Sequence, residues 1–225
     1  TVLVVDDSAF YRQSIAMMLK DIPGIEVIGA ATDGLEAIQL ATKHRPSLIT
    51  LDLEMPRMDG FGFLRWLMRT MPTPVLVVSA ASGASNTFQA LDLGAADFIA
   101  KPTHRASWEI LTIRQELESK LRAILGASPA RLCERAAKAA ALRMIDLAPP
   151  RAAPSSFDRL KLLAIGASTG GPAAIQSIMA TLPGDLPCAV AIAQHMPPGF
   201  TASFAERLNR LSSWRISEAV TGHAC

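Results

Sequence analysis

Short, mostly apolar runs alternate with helix-length segments over the first half of the chain. Thr1–Val5 (TVLVV), Ile25–Ala30 (IEVIGA), Leu48–Leu51 (LITL), Val75–Ser79 (VLVVS) and Asp97–Ala100 (DFIA) are rich in β-branched residues and lack strict apolar–polar alternation. That is the pattern of strands covered on both faces. Between them, Ser8–Lys20 and Gly34–His44 carry apolar residues at helical spacing, as at Ile15, Met18 and Leu19. Five strand–helix units predict a parallel sheet with right-handed crossovers, a doubly wound, flavodoxin-like α/β domain over residues 1–125. Its last helix is predicted over Arg105–Leu125.

The texture then changes. Residues 126–158 are rich in Ala and Arg and end with Pro149, Pro150, Pro154 and a Ser pair. Arg131–Leu147 can form a helix, and the Pro-rich tail reads as a semi-rigid linker. A second α/β pattern fills 159–225: a strand from Leu160 (LKLLAIG), a Gly-rich turn, a helix through Leu182 and the strand Cys188–Ala193. A helix over Phe200–Leu211 and a short strand over Trp214–Ala219 follow. This stretch is short for an independent core, and it predicts unpaired strand edges.

Composition narrows the function classes. Half of the 225 residues are hydrophobic and 19% are charged, enough apolar material for packed domains. A net charge of +2 from 22 basic and 20 acidic residues leaves no nucleic-acid footprint. No apolar run approaches the roughly 18 residues of a membrane helix. TVLVV runs straight into DDS without a basic leader or cleavage site, although a start at Thr1 rather than Met suggests trimming. Cys133, Cys188 and Cys225 are scattered and form no C-x-x-C, which fits a reducing cytoplasm better than a disulfide framework or zinc site.

In an open parallel sheet, chemistry gathers at the carboxyl ends of the strands. Here those ends deliver Asp6 and Asp7, then Asp52, then Ser79, then Lys101-Pro102. Converging carboxylates repel one another unless a cation sits between them, and a hard divalent ion that keeps several waters suits them. A metal, a Lys ammonium and a Ser hydroxyl together suit phosphoryl transfer, with one carboxylate as the nucleophile. Taken singly, Asp6, Asp7 and Ser8 could cap a helix, Asp52 and Asp59 could serve turns, and Lys101 could be a solvated cation. It is their joint placement at successive strand ends that argues for a site.

The segments VVDDS, LDLEMPRMDG, VVSA and KP, in this order, resemble the receiver domains of two-component response regulators across residues 1–122. The resemblance implies Asp52 as phosphoacceptor, and Asp6, Asp7, Asp52 and the backbone carbonyl of Glu54 as ligands of Mg²⁺. It makes Ser79 and Lys101 a phosphate-sensing pair. Phe98 matches the aromatic position that reorients in these switches, without the hydroxyl that many relatives have there.

The second domain carries Gly166-Ala167-Ser168-Thr169-Gly170-Gly171-Pro172, a G-x-S-x-G at a strand-to-helix junction. Such a turn projects the Ser hydroxyl, and the next amide, Thr169 N–H, can meet a developing oxyanion. A Gly/Ser turn opening a helix can equally bind a phosphate or a dinucleotide, or nothing. His195 follows the strand CAVAIA, where a general base for Ser168 should sit, though a lone His at a strand end is more often structural. His44, His104 and His223 have no comparable setting.

GASTGGP followed by QHMPPGFT resembles chemotaxis response regulators of the CheB type, which are protein-glutamate methylesterases, and a receiver joined by a linker is that family's domain order. The resemblance implies Ser168 as nucleophile, His195 as base, and no cofactor for the esterase. It implies hydrolysis of glutamate methyl esters on chemoreceptor cytoplasmic helices, with deamidation of particular glutamines, and a chemotaxis histidine kinase as phosphodonor. It also implies that the unphosphorylated receiver covers the esterase face. The departure is at the end: no Asp follows His195, the only later acids are Glu206 and Glu218, and Asp185 lies in the turn before the His strand. No triad Asp is assigned, and the chain is expected to stop within the esterase domain and to be inactive by itself.

Two other readings stand beside a phosphorylation-controlled methylesterase. One is a non-catalytic phosphoacceptor switch or docking module. The other, a DNA-binding response regulator, is disfavoured because neither Gly166–Pro172 nor QHMPPGF reads as a helix-turn-helix.

Overall fold

The computed structural model describes residues 1–80, 84–101, 107–126, 162–197 and 199–222, without the side chains of 80 and 107–112. The expected linker, the helix over Arg131–Leu147, Pro102, His104, His223, Cys133, Cys225 and the start of the strand at Leu160 lie outside the described residues. The chain divides into two compact units, Thr1–Arg143 and Met144–Cys225.

In the first unit, β1 (Val2–Val5), β2 (Val27–Ala31), β3 (Leu48–Leu51), β4 (Val75–Ala80) and β5 (Asp97–Lys101) form one sheet in the order β2-β1-β3-β4-β5. Every neighbouring pair is parallel. Helices α1 (Ala9–Lys20), α2 (Gly34–His44), α3 (Gly60–Thr70), α4 (Ala84–Asp92) and α5 (Ser107–Gly126) alternate with the strands. β1 and β3 are buried at every position, which explains their lack of alternation: both faces meet apolar side chains. On one face Val2, Val4, Leu48, Leu76, Val78 and Ile99 pack with Ile15 and Leu19 of α1 and Leu117, Leu121 and Ile124 of α5. The intervening residues Leu3, Ile49 and Val77 point to the other face and are equally buried.

Local chemistry sets the helix starts. The Asp33 carboxylate accepts from the amides of Leu35 and Glu36 at 2.7 and 3.0 Å and caps α2. Asp59 Oδ1 accepts from Gly62 N at 2.7 Å and caps α3. The strand order reverses between β1 and β3, and the crevice at such a switch point is where an open α/β sheet offers a site.

In the second unit, β6 (Leu162–Ala167) and β7 (Ala189–Gln194) pair in parallel, joined through α6 (Gly171–Thr181) and followed by α7 (Phe200–Leu211). Ile175 and Met179 of α6 and Phe200, Phe204 and Leu208 of α7 are buried. The strand expected over Trp214–Ala219 does not form: the segment is irregular and largely exposed. A strand needs a partner ladder, and these residues find other partners. Trp214 Nε1 donates to the Leu182 carbonyl at 3.3 Å, and Ile216 N donates to Asn209 Oδ1 at 2.8 Å.

Candidate functional site

The carboxyl edge of the first sheet gathers acids around a lysine. β1 ends into Asp6 and Asp7 and β3 into Asp52, and carboxylate oxygens of the three lie within 4.8 Å of one another. Asp6 and Asp52 are buried, at 1% and 4% exposure, whereas Asp7 is exposed. Lys101, the last residue of β5, reaches across with Nζ 2.6 Å from Asp52 Oδ2 and 2.9 Å from Asp6 Oδ2.

Burial and the lysine act in opposite directions on these acids. Burial pushes the Asp6 carboxyl up to about 6; Lys101 pulls it back, and the Asp52 charge adds to the rise. For Lys101, burial works against the ammonium, but hydrogen bonds and attraction from Asp52 and then Asp6 win and raise its pKa above the ordinary lysine value. A buried carboxylate beside two further acids suits a small hard cation with oxygen ligands. The donor set therefore fits a divalent metal.

Backbone bonds fix the cluster. Asp52 Oδ1 accepts from Leu53 N at 2.8 Å and Glu54 N at 3.4 Å, leaving Oδ2 for the lysine. Asp6 Oδ1 accepts from Ser8 N at 2.9 Å. Of the remaining positions marked by sequence, Ser79 is buried near the end of β4, where register places it beside Ala100, one pair from Lys101. Glu54 is exposed. Phe98 is 1% exposed, and its ring meets Phe88 edge-on at 6.2 Å and lies 5.0 Å from Lys120 Nζ.

Two neighbours on α1 escape sequence reasoning. Arg12 donates to the backbone carbonyls of Asp6 and Asp7 at 2.9 and 3.1 Å, bracing the acidic turn from behind. Tyr11, the single tyrosine in the chain, places its ring centroid 4.7 Å from Lys101 Nζ, within cation–π range. A helix begun just after Ser8 puts residues 11 and 12 one turn above the acids, and that spacing is the signal that could have found them.

In the second unit, Ala167 pairs with Gln194, so Ser168 and His195 leave the same end of two adjacent strands. His195 N donates to the Ala167 carbonyl at 3.0 Å, extending the ladder by one bond. Both residues are exposed, and Thr169 is half-buried in the turn. Gly170 takes φ 70° as the N-cap of α6, a conformation that favours glycine. Among the described residues no hydrogen bond joins the Ser168 hydroxyl to the His195 ring. No carboxylate among the described residues makes an ion pair or hydrogen bond with the His195 ring. Asp185 is exposed before β7, Glu206 is exposed on α7, and Glu218 accepts from the Thr201 hydroxyl.

Comparison with known proteins follows the same division. The response regulator receiver domain model matches residues 2–111, and the CheB methylesterase model matches residues 163–225. The crystal structure of the response regulator domain of Thermotoga maritima CheB is similar to this chain at 41% identity and a TM-score of 0.53, covering 57% of this chain and 97% of that one. Protein-glutamate methylesterase/protein-glutamine glutaminase 3 of Geobacter sulfurreducens is 50% identical, over 98% of this chain and 63% of that protein.

The chain belongs to the CheB family.

The protein-glutamate methylesterase/protein-glutamine glutaminase of Symbiobacterium thermophilum is 44% identical, again over 98% of this chain and 63% of its own length. The chain thus spans less than two thirds of the curated relatives it matches, with a receiver domain and part of a CheB methylesterase domain. No helix among the described residues is long and apolar enough to cross a membrane.

Proposed function

We propose that the protein is a phosphorylation-controlled protein-glutamate methylesterase of the cytoplasm, with Asp52 as phosphoacceptor and Ser168 as esterase nucleophile. The observation that carries the receiver half is the Lys101 ammonium 2.6 Å from Asp52 Oδ2, beside the buried Asp6. A carboxylate oxygen of Asp52 attacks the phosphorus of a phosphohistidine on a chemotaxis kinase. The P–N bond breaks, the histidine leaves with a proton, and an acyl phosphate forms. Lys101 pairs with the phosphoryl oxygens, and Ser79 donates to them. Asp6, Asp7, Asp52 and the Glu54 carbonyl would hold Mg²⁺, which supplies charge neutralisation at those oxygens when bound.

The placement of Ser168 and His195 at paired strand ends supports the output. Ser168 Oγ attacks the carbonyl carbon of a glutamate methyl ester while His195 takes its proton, and Thr169 N–H faces the developing oxyanion. The C–O bond to methoxide breaks as His195 returns the proton, releasing methanol, and water hydrolyses the acyl-serine. An amide substrate follows the same course with loss of ammonia, so deamidation of glutamine is expected too. Methylated cytoplasmic helices of chemoreceptors are the proposed substrates. Methanol release from methylated receptor membranes, comparing the full-length gene product with its Ser168→Ala variant, tests the output; equal release would count against it.

A further inference from the structure

The double glycine of the nucleophile turn and the glutamine before His195 go beyond what a nucleophile–base pair requires. Gln194 ends β7 in register with Ala167, the last residue of β6. Its Nε2 donates to the Ser168 carbonyl at 3.0 Å and to the His195 carbonyl at 2.8 Å. Both partners are acceptors, so chemistry requires the amide to turn its NH2 towards them. The Ser168 carbonyl also accepts from Gly171 N at 2.7 Å, which holds the turn from a second side.

The seat for that amide exists only because residue 171 has no side chain. A Cβ there would lie 1.9 Å from Gln194 Oε1 and 2.8 Å from its Cδ, and also 2.8 Å from Ala167 Cβ. Those separations are far inside van der Waals contact, so glycine at 171 and the glutamine at 194 are two halves of one fitting.

We infer that Gln194 is a positioning residue whose amide ties the backbone carrying Ser168 to the backbone carrying His195, with Gly171 providing its seat. This rests on the proposed roles of Ser168 and His195. Gln194 bonds the backbone carbonyls rather than the hydroxyl or the ring. It acts on their separation and orientation, where a shift of about 1 Å changes a rate about a hundredfold. The last bond of the strand ladder is His195 N to the Ala167 carbonyl, and the Gln194 amide adds a link between the two turns beyond it.

In the full-length gene product, Gln194→Glu keeps the side-chain shape and removes both donors. It is expected to lower kcat for methyl-ester hydrolysis about ten- to a hundredfold while KM moves less than about threefold. Gly171→Ala should lower kcat at least as far, because its Cβ would meet both the Gln194 amide and Ala167 Cβ. A readout independent of ester chemistry is the ¹⁵N–¹H spectrum. The Gln194 NH2 protons of the unsubstituted protein should exchange slowly with solvent, and Gly171→Ala should return them to free-amide behaviour. An unsubstituted protein without esterase activity but with protected Gln194 protons would contradict the methylesterase reading and support the tie. Gln194→Glu within about twofold of the original kcat, or NH2 protons exchanging like those of free glutamine, would overturn the inference.

Discussion

β3 and β6 are both short apolar strands ending at a candidate reactive side chain, yet they are built differently. Every residue of β3 is buried, and Asp52 follows it into a pocket braced by β1, β5 and α1. β6 alternates exposed and half-buried positions along its whole length, with Leu162 left 54% exposed. The first sheet has five strands with helices packed against it, whereas the second has two described strands. Preorganisation of a reactive group depends on how many elements surround it. The acid cluster is held on several sides within its own unit, and among the described residues one ladder and the Gln194 amide join the turns of Ser168 and His195.

That contrast can be broken most sharply by removing the esterase groups. In the full-length gene product, Ser168→Ala and His195→Ala are each expected to lower methanol release by about 10³- to 10⁴-fold or more. The 225-residue chain assayed by itself should release little, because no described carboxylate contacts His195 to orient it. Turnover by this chain comparable to the full-length product would show that the second unit is more complete than its exposed strands suggest.

Core truncation sharpens the comparison by stability. Leu51→Ala, at a fully buried position of β3, should cost about 2–5 kcal/mol in urea unfolding of the first unit. Leu162→Ala on exposed β6 should stay within about 0.5 kcal/mol. Similar losses at the two sites would remove the distinction.

The acid cluster should reveal itself as a pH-dependent burden. The Asp6 carboxyl titrates near 3.8 when unfolded and at about 6 when folded. Between these values the folded state binds the extra proton, so metal-free stability falls as pH rises through that window, and the deficit is complete above it. Asp6→Asn should therefore stabilise the metal-free protein by about 1–3 kcal/mol at pH 7 and hardly at all below pH 4. Thermal melts across pH in a chelator check the sign; destabilisation at pH 7 would contradict it. Smallest is the effect of the ring beside Lys101. Tyr11→Leu should slow phosphorylation by acetyl phosphate about three- to fivefold, and Tyr11→Phe, which keeps the ring face, should not.

The strand ends explain how much of this is legible in the sequence. In a parallel sheet the strand ends face a common edge, so five apolar runs, once recognised, point to Asp6, Asp7, Asp52 and Lys101, which the fold brings together. Tyr11 and Arg12 are hidden because their reach depends on helix phase and side-chain length. Lys120 is buried on α5, a placement the helix spacing does not reveal. It donates to the Phe98 carbonyl and sits 3.4 Å from Asp97 and 2.9 Å from Glu116. Gln194 looks like any polar residue closing a strand until the space above Gly171 is known. The strand expected over 214–219 does not form because a strand holds only where a ladder partner exists.

Incubation with acetyl phosphate and Mg²⁺, followed by peptide mapping of the labelled aspartate, tests the central claim most directly. A single phosphoryl group on Asp52, lost in Asp52→Asn and strongly reduced by chelation of the metal, is the result expected of acids made reactive by a shared dication and Lys101. Full labelling of Asp52→Asn, or labelling that is indifferent to Mg²⁺, would contradict it.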